Sequence, residues 1–312
     1  MKTCFTAFIS LLLFSGVAYA EVSFTGQSGS INVPTAFIKK GGANIALYNT
    51  YSSQKNMLGA GSKLENDTVY GAISYAPLEY LEVSLGSTNS SSDVNSQNLH
   101  YSGDLRIGIK GSREFMPHLS IGALAEALLY SKVTNSGNSA GYNGHATGYT
   151  LSLLASYDMS NSGLSFPMIA NLRIGYLWDN TQHLIPSNDN NLLPPVGKYA
   201  MGIRGDNLTL MGISVLFPLP KYYIEPMIEF TSQFAGKYSS YALTDPSYSS
   251  VTFSENPMYI TPGILFFTPV KGLRIAAAVE LSLSKKLSQS TGGPAYITPQ
   301  AVWVVGLSYS FI

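Results

Sequence analysis

The sequence has few charged residues and almost no cysteine. Only 12 % of its 312 residues are charged, and its 18 basic and 18 acidic side chains balance. A soluble protein with so few charges tends to aggregate, so the composition disfavours an ordinary soluble domain. A net charge near zero gives no basis for nucleic acid as a partner. The one cysteine, Cys4, lies near the N-terminus, which excludes a disulfide framework from the rest of the chain.

Long apolar runs are also missing after the first twenty residues. No later stretch approaches the roughly 18 uninterrupted apolar residues of a membrane-spanning helix. The first twenty residues combine Lys2, an apolar run over residues 5–14 and the motif Ala18-Tyr19-Ala20. This order is typical of a cleaved signal peptide, so we interpret residues 1–20 as one. An exported chain without a helical anchor is either soluble or a β-barrel, and the periodicity of the remaining sequence distinguishes the two.

Apolar and polar residues alternate strictly in many segments of the sequence. Between residues 272 and 284, Leu273 and Ile275 belong to an apolar set on one parity, whereas Arg274 and Glu280 lie on the other. Successive side chains of a strand point to opposite faces. The pattern therefore predicts a strand with one apolar and one polar face, and similar patterns recur along the chain.

The full pattern predicts about twelve strands. They lie near residues 43–52, 68–76, 80–89, 101–112, 118–131, 146–158, 167–179, 207–217, 222–234, 257–268, 272–284 and 300–311. Most are long enough to cross a membrane when tilted. Short connections alternate with long ones, which are predicted at 53–66, 90–100, 132–145, 180–206, 235–256 and 285–299. Such alternation is typical of an up-and-down antiparallel transmembrane β-barrel with short periplasmic turns and long extracellular loops.

These features together resemble the porin-like β-barrels of the Gram-negative outer membrane. Aromatic residues predict two belts, one towards each end of the strands, with Tyr75, Tyr80 and Tyr222 at the short-turn end and Tyr48, Tyr149 and Trp178 at the other. The barrel domain is predicted over residues 43–312, and outer-membrane lipid is expected around it.

The last strand carries a second resemblance. Its outward parity is predicted to hold Trp303, Val305, Leu307, Tyr309 and Phe311. This pattern resembles the C-terminal signal that the outer-membrane insertion machinery recognises, which makes that machinery an expected partner. The signal normally ends on its aromatic residue, whereas here Ile312 follows Phe311.

Four segments fit the strand pattern less well. Residues 21–42 form an N-terminal cap, a plug inside the barrel or an extra strand pair, and residues 199–204 are a possible further strand. Within the first segment, Gly29-Ser30-Ile31-Asn32-Val33-Pro34-Thr35-Ala36 and Gly41-Gly42 resemble the start of exopolysaccharide-associated YjbH-type barrels. Pro226 and Pro262 lie inside predicted strands, where each removes a ladder donor and suggests a bulge or a local opening.

No motif for catalysis, metal binding or cofactor binding stands out. His145 precedes Thr147 near the predicted outer rim, but a solvated loop histidine explains it better than a lipid-cleaving site does. The sequence has no acidic or histidine cluster with metal-ligand spacing and no phosphate-binding glycine loop. We therefore expect neither an enzyme nor a bound cofactor.

The predicted lining of the barrel is the main candidate for a functional site. The charged residues that we predict to line the lumen are Arg106, Lys110, Glu126, Arg173, Glu225, Glu229, Arg274 and Glu280. Counting all inward charges, acidic residues outnumber basic ones, which predicts a mild preference for cations in a pore. Two functions remain open at this point. One is a porin-like channel for passive diffusion of ions or small polar solutes, and the other is a non-conducting structural or assembly barrel linked to envelope or polysaccharide export.

Overall fold

A computed structural model describes residues 23–24, 26–55, 63–94, 97–131, 146–159, 167–181, 207–235, 257–283, 286–289, 293–296 and 299–311. The predicted signal peptide, the possible strand at 199–204 and His145 lie outside the described residues. Within these ranges, no helix combines the length and hydropathy needed to cross a membrane.

Twelve strands form one closed antiparallel barrel. They are β1 (Ala43–Lys55), β2 (Lys63–Leu78), β3 (Leu81–Val94), β4 (Gln97–Met116), β5 (Leu119–Leu129), β6 (Gly148–Asp158), β7 (Ile169–Trp178), β8 (Leu208–Leu216), β9 (Ile224–Ala235), β10 (Met258–Phe267), β11 (Leu273–Ser282) and β14 (Ala301–Phe311). Each strand pairs with the next, and β1 closes the barrel against β14 with Ala43 opposite Phe311. The predicted twelve-stranded up-and-down transmembrane barrel is confirmed.

Alternating burial gives the barrel its two faces. In β1, Ile45 and Leu47 are about half exposed, whereas Ala46 and Tyr48 are buried. The register places Ile45 beside Tyr309 of β14 on one side and Ile73 of β2 on the other. Because side chains of one parity share a face, these pairs continue around the barrel as an apolar outer surface, as lipid contact requires.

Short turns lie at one end of the barrel, called here the short-turn end. They comprise residues 79–80, 117–118, 217–223 and 268–272. The turn between β8 and β9 includes a short 3-10 helix, Pro220–Tyr222. β6 also ends and β7 also begins at this end, where the Met159 N–H donates to the Met168 carbonyl at 2.8 Å. The opposite end of the barrel is called the long-loop end.

The long loop predicted at residues 90–100 is wrong. β3 continues to Val94 and β4 begins at Gln97, and Asp93 pairs with Asn98. Only residues 95–96 therefore separate these strands, and long and short connections do not alternate at this hairpin. The ladder consists of backbone hydrogen bonds, so a Ser- and Asn-rich stretch can extend a hairpin beyond the apolar belt. The predicted strands ended at residue 89 and began again at residue 101, but the backbone pairing continues between them.

The predicted loop at 285–299 also contains regular structure. β12 (Lys286–Gln289) and β13 (Gly293–Tyr296) pair as a separate two-stranded sheet. Four-residue strands are too short to show an alternation pattern, which explains why the sequence did not reveal them.

Pro262 lies at a local opening of the sheet, Pro226 does not, and neither proline lies at a bulge. Pro226 pairs with Ile264 and Pro262 with Ile228, without a register shift between β9 and β10. On the other side of β10, the described pairing with β11 resumes only at Gly263 after Ile260. The missing proline donor is therefore accommodated by a gap in one ladder.

The aromatic side chains fall into the two predicted groups with one correction. Tyr75, Tyr80 and Tyr222 are exposed towards the short-turn end, and Tyr149 and Trp178 are exposed towards the long-loop end. Tyr48 was predicted to belong to the second group, but its side chain is inward and only 1 % exposed. It shares the inward parity of β1, so its position along the strand alone did not determine the face.

Candidate functional site

Residues 23–24 and 26–42 form a segment that extends from the short-turn end into the barrel and is called here the internal segment. It meets the wall at the short-turn end, where the Gly41 N–H donates to the Ala76 carbonyl at 2.7 Å and the Ala76 N–H donates to the Gly42 carbonyl at 2.9 Å. Farther in, Ile31, Val33 and Ala36 are fully buried. The segment thus occupies part of the lumen that the sequence analysis assigned to a pore.

A tight hairpin forms the middle of the internal segment. Gly29 and Pro34 form an isolated bridge, the Ser30 N–H donates to the Val33 carbonyl at 3.0 Å, and the Thr35 N–H donates to the Ser28 carbonyl at 2.9 Å. A Cβ atom on Gly29 would lie 2.5 Å from Pro34 Cα and 2.6 Å from the Val33 carbonyl oxygen. Only glycine leaves room for this close backbone approach.

A buried ion pair binds one side of this hairpin to the wall. Lys110 of β4 and Glu82 of β3 are register partners, and the Lys110 Nζ atom lies 3.0 Å from Glu82 Oε2. Lys110 also donates to Ser28 Oγ at 2.7 Å and to the Thr35 carbonyl at 3.0 Å. The Ser28 N–H donates to Glu82 Oε1 at 2.7 Å, and the Ser28 hydroxyl donates to Glu82 Oε2. We call Ser28, Glu82 and Lys110 the latch.

A chain of neutral hydrogen bonds holds the far side of the hairpin. The Ala36 N–H donates to Ser156 Oγ at 2.7 Å, and Ser156 donates to Asn171 Oδ1 at 2.7 Å. The Thr35 hydroxyl lies 2.9 Å from Ser156 Oγ. Asn171 continues the chain by donating to Ser214 Oγ at 3.0 Å. The contacts of the segment therefore reach β6 and, through it, β7 and β8.

Asn32, at the tip of the hairpin, contacts two carboxylates. Its backbone N–H lies 3.2 Å from both carboxylate oxygens of Glu229. Its side-chain Nδ2 donates to Glu229 Oε2 at 3.1 Å and to Glu280 Oε1 at 2.6 Å. Glu229 belongs to β9 and Glu280 to β11, so one asparagine joins two strands that are not neighbours in the barrel. We call Glu229 and Glu280 the acidic pair.

Aromatic contacts fix the beginning of the internal segment. The ring of Phe24 stacks on Tyr70 of β2, with centroids 4.4 Å apart and planes 8° apart. The same ring meets Tyr48 edge to face at a centroid distance of 5.1 Å. The Tyr48 ring in turn lies against Gly306 of β14, where a larger residue would have no space. These apolar contacts complement the polar ones made by the hairpin.

The predicted lining residues divide into three sets. Lys110, Glu229 and Glu280 contact the internal segment. Arg106, Glu126 and Arg173 contact one another on the wall, with Glu126 accepting from Arg173 Nη2 at 3.1 Å and lying 3.5 Å from Arg106 Nη1. Glu225 and Arg274 are buried near the short-turn ends of β9 and β11, and the Arg274 guanidinium lies 4.9 Å from the centroid of the Phe267 ring.

Sequence reasoning missed the partners that the internal segment supplies. Ser28 and Asn32 carry no charge and lie outside the strand pattern, so no local signal marked them as contacts of the lining. Glu82 has the inward parity of β3, and its pairing with Lys110 could have been derived from parity and register. The contact between Asn32 and Glu229 joins residues 197 positions apart, and no spacing rule reaches that far.

A cavity of about 1030 Å³ opens at the short-turn end of the barrel. Its lining includes Phe37, Lys39, Tyr80, Arg113, Glu114 and His118. Ser28 and Glu82 of the latch also border it. The cavity therefore extends from the short-turn mouth to the point where the internal segment crosses the lumen.

The residues of the predicted insertion signal lie on the last strand, β14. Trp303, Val305, Leu307 and Phe311 are exposed on its outer face. Tyr309 is half-buried, and its ring meets that of Phe311 edge to face with centroids 4.6 Å apart. Recognition of this strand by insertion machinery stays a prediction.

In the part of the chain that the structure describes, no group of three or more His, Cys, Asp or Glu side chains is placed to hold a metal ion.

A closed ring of antiparallel strands with an apolar exterior and a polar interior defines the chain as a transmembrane β-barrel. No protein-family model matches the chain, and no curated protein sequence is significantly similar to it. Its structure is similar to that of an outer membrane channel from Pseudomonas putida F1, at 10 % identity and a TM-score of 0.55, over 91 % of this chain and 99 % of that one.

Two further barrels are similar at lower scores. The NanC porin matches at 10 % identity and a TM-score of 0.48, over 85 % of this chain and 98 % of its own. The translocator domain of the autotransporter NalP from Neisseria meningitidis matches at 11 % identity and a TM-score of 0.48, over 88 % and 90 % of the two chains. At such low identity, the similarity to the Pseudomonas putida channel establishes the barrel fold alone.

Proposed function

We propose that this protein is a channel of the Gram-negative outer membrane that passes ions or small polar solutes by passive diffusion. The observation that carries the proposal is a polar lumen crossed by a segment that is held mainly through side-chain contacts. The similar fold of an outer membrane channel supports it. In this proposal the short-turn end faces the periplasm, outer-membrane lipid surrounds the barrel, and the insertion machinery recognises β14.

The internal segment is proposed to be a plug that narrows or closes the lumen. Most backbone hydrogen bonds of the segment are internal to it, such as that from the Phe24 N–H to the Ile31 carbonyl at 2.8 Å. Among the described residues, its backbone-to-backbone hydrogen bonds with a barrel strand are those at Gly41 and Gly42 with Ala76. The other polar contacts involve side chains, and water that enters the lumen can form hydrogen bonds with the wall groups that the segment leaves. The segment can therefore leave the lumen without breaking a barrel ladder.

A preference for cations is proposed for the unplugged lumen. Glu82 is paired with Lys110, and Glu126 with Arg173. The acidic pair, Glu229 and Glu280, forms no ion pair with a basic side chain among the described residues. Removal of Asn32 would leave these two carboxylates facing the lumen, where fixed negative charge attracts cations and repels anions.

A second candidate is a non-conducting structural or assembly barrel linked to envelope or polysaccharide export. The observation in its favour is that the internal segment contacts inward residues on many strands, including β3, β4, β6, β9 and β11. The resemblance of residues 29–36 to YjbH-type barrels supports the same reading. In this case the segment would be a permanent filling and not a movable plug.

Deletion of residues 26–40 distinguishes the two candidates. The full chain and the deletion variant would be refolded into lipid bilayers, with folding checked by heat-modifiable gel mobility. For a plugged channel we expect rare or small current steps from the full chain, and large, stable, cation-selective steps from the variant. A folded deletion variant that passes no current would overturn the channel proposal and favour the structural barrel. Anion-selective steps would overturn the cation preference alone.

A further inference from the structure

We propose that Glu229, Thr261, Glu280 and Asn32 form a binding site for a divalent cation, with Ca²⁺ as the best-matched ion, and that the bound cation fastens the internal segment to the barrel wall. Cation binding can be measured independently of conductance, whereas its effect on conductance rests on the proposed channel function.

The strand register brings three oxygen-bearing side chains into one row. Thr261 of β10 is the register partner of Glu229 of β9. On the other side, β10 and β11 pair Ile260 with Leu281 and Gly263 with Ala278. The same register places Thr261 opposite Glu280 across the ladder gap next to Pro262. Thr261 therefore lies between the two members of the acidic pair on adjacent strands.

The two carboxylates converge on a single position in the lumen. Asn32 Nδ2 lies 3.1 Å from Glu229 Oε2 and 2.6 Å from Glu280 Oε1. An atom at the place of this nitrogen thus has one oxygen of each carboxylate beside it. Calcium–oxygen distances are about 2.3–2.6 Å, and calcium tolerates irregular coordination. Small side-chain movements would therefore let a cation sit beside this position, in contact with both carboxylates and with the end of the Asn32 side chain.

The hydroxyl of Thr261 is an independent sign of a ligand. Thr261 is fully buried, and its Oγ1 atom has no hydrogen-bond partner in the described structure. A buried polar atom without a partner costs about 1–3 kcal/mol, and such atoms are rare in native proteins. The missing partner would be explained if the hydroxyl oxygen completed the coordination of a cation held by the two carboxylates on either side of Thr261.

Asn32 can change from a hydrogen-bond donor to a metal ligand without moving the backbone. Rotation about its last side-chain torsion exchanges the positions of Nδ2 and Oδ1, which are similar in size. The backbone N–H of Asn32 keeps its contacts with Glu229 after this rotation. Glu229, Glu280, Thr261 and Asn32 would then supply four oxygen ligands, with water filling the remaining positions.

The charges and atom types select the class of cation. Two carboxylates carry two negative charges, and the amide that bridges them in the structure is neutral, so a divalent cation balances the site. All four ligands are oxygens, which suits Ca²⁺ better than metals that prefer nitrogen or sulfur. Mg²⁺ also binds oxygen, but it demands a more regular octahedron. Because one ligand comes from the internal segment and three from the wall, bound Ca²⁺ would favour the plugged state.

The binding test uses Tb³⁺ as a luminescent substitute for Ca²⁺. The full chain, refolded without lipopolysaccharide, would be titrated with Tb³⁺ and excited through its tyrosines, and Ca²⁺ would then be added as competitor. We expect one Tb³⁺ per barrel that Ca²⁺ displaces. Because ligand charge sets affinity at oxygen sites, E229Q and E280Q should each weaken binding at least about tenfold. E126Q, which removes a buried carboxylate elsewhere on the wall, should retain binding.

The Asn32→Asp variant tests the connection with the internal segment. It replaces the amide donor with a third carboxylate, so without divalent cations the segment should be repelled from the acidic pair and the open fraction should rise. Added Ca²⁺ should reverse this change. It should also bind more tightly to the variant than to the parent chain. T261V should weaken binding while keeping the shape of the side chain.

Three results would overturn the proposal. They are the absence of displaceable Tb³⁺ binding, binding that survives the combined E229Q and E280Q changes, and Ca²⁺ weakening instead of strengthening the plugged state of the Asn32→Asp variant. If the deletion variant of the previous section passed no current, the channel proposal would fail, but the Tb³⁺ titration would still decide whether the site exists.

Discussion

Ser28→Ala is the most direct test of the latch, because it changes the internal segment and leaves the barrel wall untouched. The Ser28 hydroxyl accepts from Lys110 Nζ at 2.7 Å and donates to Glu82 Oε2. The alanine variant loses both contacts. It keeps the bond from the Ser28 N–H to Glu82 at 2.7 Å and the bond from Lys110 to the Thr35 carbonyl at 3.0 Å.

The size of the effect follows from which bonds the wall retains. Glu82 and Lys110 are wall residues 3.0 Å apart, so they remain paired whether the internal segment is in place or displaced. Each hydrogen bond to a charged group contributes about 1.5–3 kcal/mol, but the retained partners compensate for part of the loss. We therefore expect Ser28→Ala to destabilise the plugged state by about 2–3 kcal/mol. This corresponds to an increase of about thirty- to 150-fold in the ratio of open to plugged barrels.

Single-channel recording in planar bilayers measures this ratio as the open probability. The matched control is Ser74→Ala, since Ser74 is also a buried inward serine but accepts its hydrogen bond from the wall residue Asn44 at 3.1 Å. The control should behave as the parent chain does. If Ser28→Ala and Ser74→Ala gave the same open probability while deletion of residues 26–40 raised it, the latch would not be what holds the segment.

Three further changes test other parts of the structure. Gly29→Ala should open the hairpin of the internal segment, because the new Cβ would lie 2.5 Å from Pro34 Cα; open probability should rise, and an unchanged value would contradict the hairpin geometry. Leu307→Arg places a charge on the outer face of β14 and should cost about 2–4 kcal/mol of folding free energy in lipid. Urea unfolding in vesicles measures this cost, and an unchanged midpoint would argue against lipid contact there. Gly306→Ala should displace the Tyr48 ring and cost about 1–3 kcal/mol of folding free energy in the same assay, and an unchanged midpoint would show that the ring does not pack tightly against Gly306.

Sequence patterns predicted the barrel well and its connections less well. Alternation in segments such as β11 reports directly which side chains face lipid, because a slip of one residue would reverse both faces. The same pattern failed at residues 90–100, where serine and asparagine side chains show no contrast between faces although the backbone remains paired. Tyr48 was assigned to the outer belt from its position along the strand alone. Its parity is inward, and its ring contacts Phe24 inside the barrel.

The lumen was predicted only in part. The inward charges followed from parity, so the burial of Lys110 and Glu229 agrees with the faces that the sequence indicated. Their partners did not follow, because Ser28 and Asn32 are neutral residues in a segment without strand periodicity. Residues 21–42 were left as a cap, a plug or a strand pair, and the placement of their described part inside the barrel depends on contacts with at least five strands.

The sequence by itself determined that apolar and polar faces alternate along about twelve segments, and burial of the apolar faces against lipid then requires a closed barrel. Only the tertiary structure decided what fills that barrel. Closure of β1 on β14 places the walls at a distance that the internal segment can bridge, and the strand register brings Glu229, Thr261 and Glu280 into one row beneath Asn32. These relations join residues far apart in the chain. The local alternation of apolar and polar residues shows which face of the sheet a side chain is on, but not which residue it contacts.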